Sequence, residues 1–362
     1  MASSSALPLA VLGLLAAGCS AFWPTVVRDS PDEPLFHSGF PLVGGARLDG
    51  ALCSLATVGP DATRLVSPPE VVTGAIPLDL ACSGEGPLHR AFSRGRPGTL
   101  VRIETPSGDV FGYLYRDFAA ANGVLVAFSG MGMPASGWVN ERFAEVASAK
   151  GLLTFALVRD EAVRPIAFDP VREARRGIEA AERVAAACGV PAAGPLAFVG
   201  ISLGGMEALL ATRGALARGL EARGAVLDPL LDPDLAAGNL DSTWHSAAVD
   251  SMQAYFRRIL AGRYGERPTP SFRTVLERRT AETVAQRDAP SAWLCAAPRK
   301  AYAIFLSDTD PVLGNGQREF GHACNFPFRR AAAPGHVPLA CNLDLFPQMI
   351  EAVSPQSAAL PQ

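Results

Sequence analysis

The sequence predicts an α/β protein with a mostly parallel central sheet flanked by helices, and two observations predict it. Near-continuous apolar runs occur at Val124 to Phe128, Leu152 to Val158, Leu196 to Val199, Ala225 to Leu227 and Ala301 to Leu306. Strands buried on both faces of a parallel sheet read this way, whereas half-solvated strands alternate. Between the runs lie helical patterns, such as Val171, Ala174, Ile178, Ala181 and Val184 with Arg and Glu on the opposite face. Strands alternating with helices imply right-handed crossovers and a three-layer domain. A chain of 362 residues, 49% of them hydrophobic, is long enough to bury a large core.

Taken in order, residues 1–18 read as an export signal. Leu7 to Ala17 is apolar but too short to span a bilayer, and Gly18-Cys19-Ser20 follows at once. Leu15-Ala16-Ala17-Gly18-Cys19 resembles a bacterial lipobox, which implies lipidation of Cys19 and a membrane-anchored or secreted protein of the cell envelope. Residues 19–98, rich in Pro, Gly and Ser, read as an N-terminal extension that carries no recognisable chemistry.

Six further cysteines, Cys53, Cys82, Cys188, Cys295, Cys324 and Cys341, are an even number in an exported chain and are disulfide candidates. Proximity in sequence pairs Cys53 with Cys82 and Cys324 with Cys341, and elimination pairs Cys188 with Cys295. A buried free thiol is the alternative for Cys188, which closes an amphipathic helix pattern.

Residues 99–228 and 299–353 form the two halves of the predicted core. Thr99 to Glu104 and Asp109 to Tyr115 alternate around Pro106-Ser107-Gly108, the pattern of an antiparallel hairpin. The apolar strands follow. Residues 229–298 interrupt the alternation over a length too great for a loop. Trp244, Ala248, Tyr255 and Ile259 lie behind Asp241 and Ser242, and Phe272, Val275, Leu276 and Val284 lie behind Ser271, so a helical cap is expected there. Residues 354–362 are a tail.

The third strand run ends in Gly200-Ile201-Ser202-Leu203-Gly204-Gly205, with Met206, Leu209 and Leu210 continuing at helical spacing. With 35 glycines and 23 serines in 362 residues, a glycine-x-serine-x-glycine match is expected by chance about 0.2 times per chain, so the strand, turn and helix around it carry the weight. This is the pattern of a nucleophile elbow, where a serine hydroxyl projects from a sharp turn because its neighbours lack a Cβ. A serine is a weak nucleophile unless a base takes its proton and a third group orients the base. His336, in the loop Ala333 to Pro338 after the strand-like Phe326 to Arg330, is placed to reach over the sheet edge, in preference to His322.

Ala301 to Leu306 runs into Ser307-Asp308-Thr309-Asp310-Pro311-Val312-Leu313, and at this point the chain resembles the α/β-hydrolase superfamily, whose nucleophile, acid and histidine come in that chain order. The resemblance covers about Thr99 to Val353 and implies that Ser202 is the nucleophile, Asp310 the acid and His336 the base. Asp308, beside Asp310, reads as a turn or capping residue and is the second option for the acid. Asp228, at another strand end, is a third option for the acid. The resemblance also implies an oxyanion hole from the amide of Leu203 and one of Gly130 or Met131, in a loop where Phe128-Ser129-Gly130 replaces the His-Gly pair of many relatives.

The expected activity is acyl-enzyme formation on Ser202, with a small-molecule or lipid-like carboxylic ester as substrate. A peptidase or amidase would use the same residues, and a binding lipoprotein that kept the fold without catalysis is the rival from another class. A net charge of −3 without a basic block argues against nucleic acid as partner. No metal, nucleotide or flavin site is evident, since Asp308 and Asp310 lack the further oxygen ligands that calcium needs. Cys324 and Cys341 bracket His336, so a bond between them would restrain the base.

Overall fold

In the computed structural model, residues 72, 74–83, 98–115, 121–130, 135, 137–160, 169–232, 289–307, 310, 316–332, 337–339 and 342–354 are described. Their strands are β1 Ile76–Pro77, β2 Thr99–Thr105, β3 Gly108–Tyr115, β4 Gly123–Phe128, β5 Leu152–Val158, β6 Leu196–Ile201, β7 Ala222–Leu227, β8 Tyr302–Ser307 and β9 Arg329–Ala331. Their helices are α1 Leu78–Cys82, α2 Trp138–Ser148, α3 Pro170–Ala187, α4 Leu203–Ala217, α5 Pro290–Trp293, α6 Gly316–Ala323 and α7 Leu345–Val353.

The strands form one sheet in the order β1-β2-β3-β5-β4-β6-β7-β8-β9. The hairpin expected around Pro106 is present: β2 and β3 are antiparallel, with Thr105 opposite Gly108, and Gly108 supplies the φ of +103° that closes the turn. β3 joins the remainder by pairing antiparallel with β5. From β5 to β9 every pairing is parallel. Every residue of β4, β5, β6 and β8 is buried, which is why these segments read as unbroken apolar runs. Of the strand-like run Phe326 to Arg330, only the end is paired, as β9. The sheet also begins earlier than the hairpin: β1, within the 19–98 segment, pairs parallel with β2.

Helices cover both faces. α3 starts where Asp169 accepts a hydrogen bond from Arg172 N at 2.9 Å and Pro170 fixes the first helical φ. It buries Ala174, Ile178, Ala181 and Val184 and packs against α4 and α1. α2 and α7 form the other layer, where the rings of Phe143 and Phe346 meet edge to face at 4.8 Å.

The cysteine pairing differs from all three pairs expected. Cys82, at the end of α1, is bonded to Cys188, the residue that caps α3, with Cα atoms 4.8 Å apart and 106 residues between them in sequence. This overturns Cys53–Cys82 and Cys188–Cys295. Cys324 is a free thiol, which overturns Cys324–Cys341, and Cys295 is free as well. Sequence proximity misleads because packing of α1 across α3 brings together helix ends that are remote along the chain. Cys19, Cys53 and Cys341 lie outside the described residues.

The expected cap falls mostly on residues 233–288, outside the described residues. Its flanks are joined. Ser291 Oγ donates to Asp232 Oδ2 at 2.7 Å and Ser291 N donates to Leu231 O at 3.1 Å, so the insertion leaves and re-enters the core at one place. No described helix is long and apolar enough to cross a membrane.

Candidate active site

Parallel strands present their carboxyl ends at one edge, and the candidate residues follow from that direction. Ser129 and Gly130 leave β4, Ser202 leaves β6, Asp228 leaves β7, Ser307 ends β8 with Asp310 three residues on, and the segment containing His336 follows β9.

Ser202 sits between β6 and α4 at φ 52° and ψ −122°. A non-glycine residue in this region is sterically strained and persists only where its surroundings impose it. They do so here through glycines and two main-chain bonds. A Cβ on Gly200 would overlap Gly204 O, and one on Gly204 would overlap the carbonyl oxygens of Phe128 and Ser129. A Cβ on Gly205 would lie 2.7 Å from Pro229 Cβ. Ser202 N donates to Leu227 O at 3.0 Å, and Leu230 N donates to Ser202 O at 3.1 Å. The elbow is therefore gripped by β7 and by the turn after it, and the Ser202 side is left half-buried.

Leu203 is the first residue of α4, and its N–H is one of the amides that have no acceptor within the helix. The helix dipole adds positive potential at the same point. Close approach at Gly204 sets this helix start directly against Phe128 and Ser129. The loop that leaves β4 is held by a residue that the sequence did not single out. Asn140, on α2 and 3% exposed, donates from Nδ2 to Ser129 Oγ at 2.9 Å and to Ala135 O at 2.9 Å. Gly130 is buried beside them, while Met131 lies outside the described residues.

Asp310 is partly exposed, beyond the end of β8. Asp308 and His336 lie outside the described residues, whereas His322 is exposed on the last turn of α6. The residue after His336, Val337, is described: it is 2% exposed, has φ 55°, and its N–H donates to Asp228 Oδ2 at 2.8 Å. Asp228 is 1% exposed with φ 43°. The structure thus gathers Ser202, the β4 loop, Asp228 and the chain beside His336 at one edge.

A second polar cluster lies where β5 ends. Arg159 donates from Nε and Nη2 to Glu207 Oε1 at 3.1 and 2.5 Å, joining that strand end to α4, the helix that follows Ser202. Next to it, Asp160 pairs with Arg172 at 2.6 Å and with Arg176 at 3.3 Å, and Arg176 binds Glu173 at 2.7 Å. Glu207 stands five residues after Ser202 and is the one charged residue between Leu203 and Ala211, the one signal in the sequence that could have marked it.

No protein-family model matches the chain, and no curated protein matches it. Solved structures do. The chain is similar to a carboxyl esterase 2 from the mycorrhizal fungus Tuber melanosporum, at 15% identity and a TM-score of 0.48 over 72% of this chain and 89% of that one. It is similar to an esterase from the archaeon Pyrobaculum calidifontis, at 16% identity and a TM-score of 0.47 over 70% and 83%. It is similar to a 2,6-dihydroxy-pseudo-oxynicotine hydrolase, at 13% identity and a TM-score of 0.50 over 70% and 66%. The likeness to the last of these is one of fold, and with the sheet order and the elbow above, that fold is the α/β-hydrolase fold.

Proposed function

We propose that the protein is a serine hydrolase that forms an acyl-enzyme on Ser202 and cleaves carboxylic esters. The observation that carries this reading is the backbone of Ser202, held at φ 52° by glycine contacts and by two main-chain bonds to the neighbouring strand end. A strained conformation fixed so thoroughly serves to present a hydroxyl. In the mechanism His336 takes the Ser202 proton as Oγ attacks the ester carbonyl, and then returns it to the leaving alcohol. Asp310 orients the imidazole. The Leu203 amide, with a donor from Gly130 or Met131, receives the developing oxyanion. Water then hydrolyses the acyl-enzyme with His336 again as base.

Changing Ser202 to Ala tests it. The variant is expected to melt like the wild type, to lose labelling by a fluorophosphonate probe, and to lose turnover of p-nitrophenyl esters. Undiminished labelling would exclude this serine. Export and anchoring are proposed on the lipobox-like segment that ends at Cys19. In a bacterial expression host, palmitate incorporation and membrane partition are expected for the full chain and not for Cys19→Ser.

A further inference from the structure

Asp228 has more to hold than a strand end ordinarily does. Its N–H donates to Phe305 O at 2.9 Å, and its Oδ1 accepts from Ser307 N at 2.8 Å. Its Oδ2 accepts from Ser307 Oγ and, at 2.8 Å, from Val337 N. Its predecessor Leu227 accepts from Ser202 N. One buried residue therefore ties together the end of β8, which leads to Asp310, the turn beside His336, and the strand end that grips the elbow. Val337 is β-branched and sits at φ 55°, a conformation such a residue avoids unless something imposes it. The carboxylate of Asp228 accepts its amide proton and is in place to impose it. Among the described residues, two of the three groups that the Asp228 carboxylate holds are main-chain amides, which transfer no proton during turnover, so the bonds to them set geometry.

We propose that Asp228 is a positioning residue: its carboxylate fixes the left-handed turn at Val337 and thereby sets His336 against Ser202 and Asp310. This rests on the serine-hydrolase reading. Asp228→Asn keeps the size of the side chain but turns one oxygen into a donor, which then faces Ser307 or the Val337 amide. The expected result is a fall in kcat of tenfold or more on a p-nitrophenyl ester with KM changed less than twofold, because Asp228 is buried, at 1% exposure.

A double-mutant cycle with Val337→Gly separates positioning from general support. Glycine adopts the left-handed turn without strain, so once it is present the loss on Asp228→Asn is expected to shrink at least threefold. Equal losses in the two backgrounds would overturn the proposal, as would a wild-type kcat for Asp228→Asn. So would an Asp228→Asn variant as inactive as Ser202→Ala beside an active Asp310→Asn, since Asp228 would then be the acid itself. Should Asp228→Asn not fold, Asp228→Glu, which keeps the charge but displaces the carboxylate by one methylene from the Val337 amide, is expected to lower kcat at constant KM, and an unchanged kcat would overturn the proposal. If Ser202→Ala keeps wild-type turnover, the hydrolase reading fails before Asp228 is in question.

Discussion

A single glycine decides how close the start of α4, beside Ser202, and the loop after β4 can come. Gly204 allows the first turn of α4 to lie against the Phe128 and Ser129 carbonyls, and a methyl group there has nowhere to go because those oxygens are backbone. Gly204→Ala is therefore expected to force the helix start away from β4. Overpacking of this kind costs about 1–3 kcal/mol. The larger effect falls on catalysis, since the Leu203 amide moves with the helix. Denaturant unfolding and steady-state kinetics on one p-nitrophenyl ester check both, with a loss in kcat of at least tenfold expected. Gly189, which has φ +70° but nothing near its Cβ position, is a control whose alanine variant should affect stability alone.

At the scale of elements, α4 is anchored at two points, its glycine-rich start and Glu207. The Arg159–Glu207 pair ties it to the end of β5, and both side chains are nearly inaccessible, at 5% and 0%. Removing one partner of a buried pair costs about 3–5 kcal/mol, because a charge is left in a poorly polarisable place. Glu207→Met is expected to lose that much in urea unfolding. Arg159→Met combined with Glu207→Met is expected to recover most of it, because an apolar pair of similar volume needs no compensation. A double variant no more stable than the single would show that the pair is not the relevant unit. Their pairing was not apparent from the sequence: Arg159 reads as an ordinary polar residue past a strand, and only the packing of α4 on β6, β7 and β4 brings Glu207 to it.

The same contrast runs through the other elements. The strands β4 to β8 and the elbow were evident because each is a local pattern, either an unbroken apolar run or glycines at fixed spacing around a serine. The hairpin β2–β3 was evident for the same reason, with its turn residues at Pro106 to Gly108. Asp228 was visible only as one of three candidate acids, and its bond to Val337 spans 109 residues. Asn140 gave no sign, since an asparagine on a helix is indistinguishable from a solvated one until Ser129 and Ala135 are placed beside it.

For the whole molecule, the Cys82–Cys188 bond is the longest-range covalent constraint among the described residues. It joins α1, beside the edge strand β1, to the end of α3, and so fastens the start of the sheet to the helix layer that covers it. The two cysteines are 106 residues apart, and a loop of that length corresponds to about 4–5 kcal/mol in the chain-entropy model. Replacing both by serine removes the cross-link without leaving a single reactive thiol. The variant is expected to unfold at a lower urea concentration, with about 2–5 kcal/mol lost. Its turnover under native conditions should stay near the wild-type value, because the bond lies on the hairpin side of the sheet while Ser202, Asp228 and Val337 meet beyond β6. A loss of activity at temperatures where the variant is fully folded would mean that the edge of the sheet communicates with the site. The stability difference is expected to persist in excess reductant only if the wild-type bond resists reduction. If reductant brings the wild type down to the variant while its kcat holds, the bond contributes to stability and not to turnover.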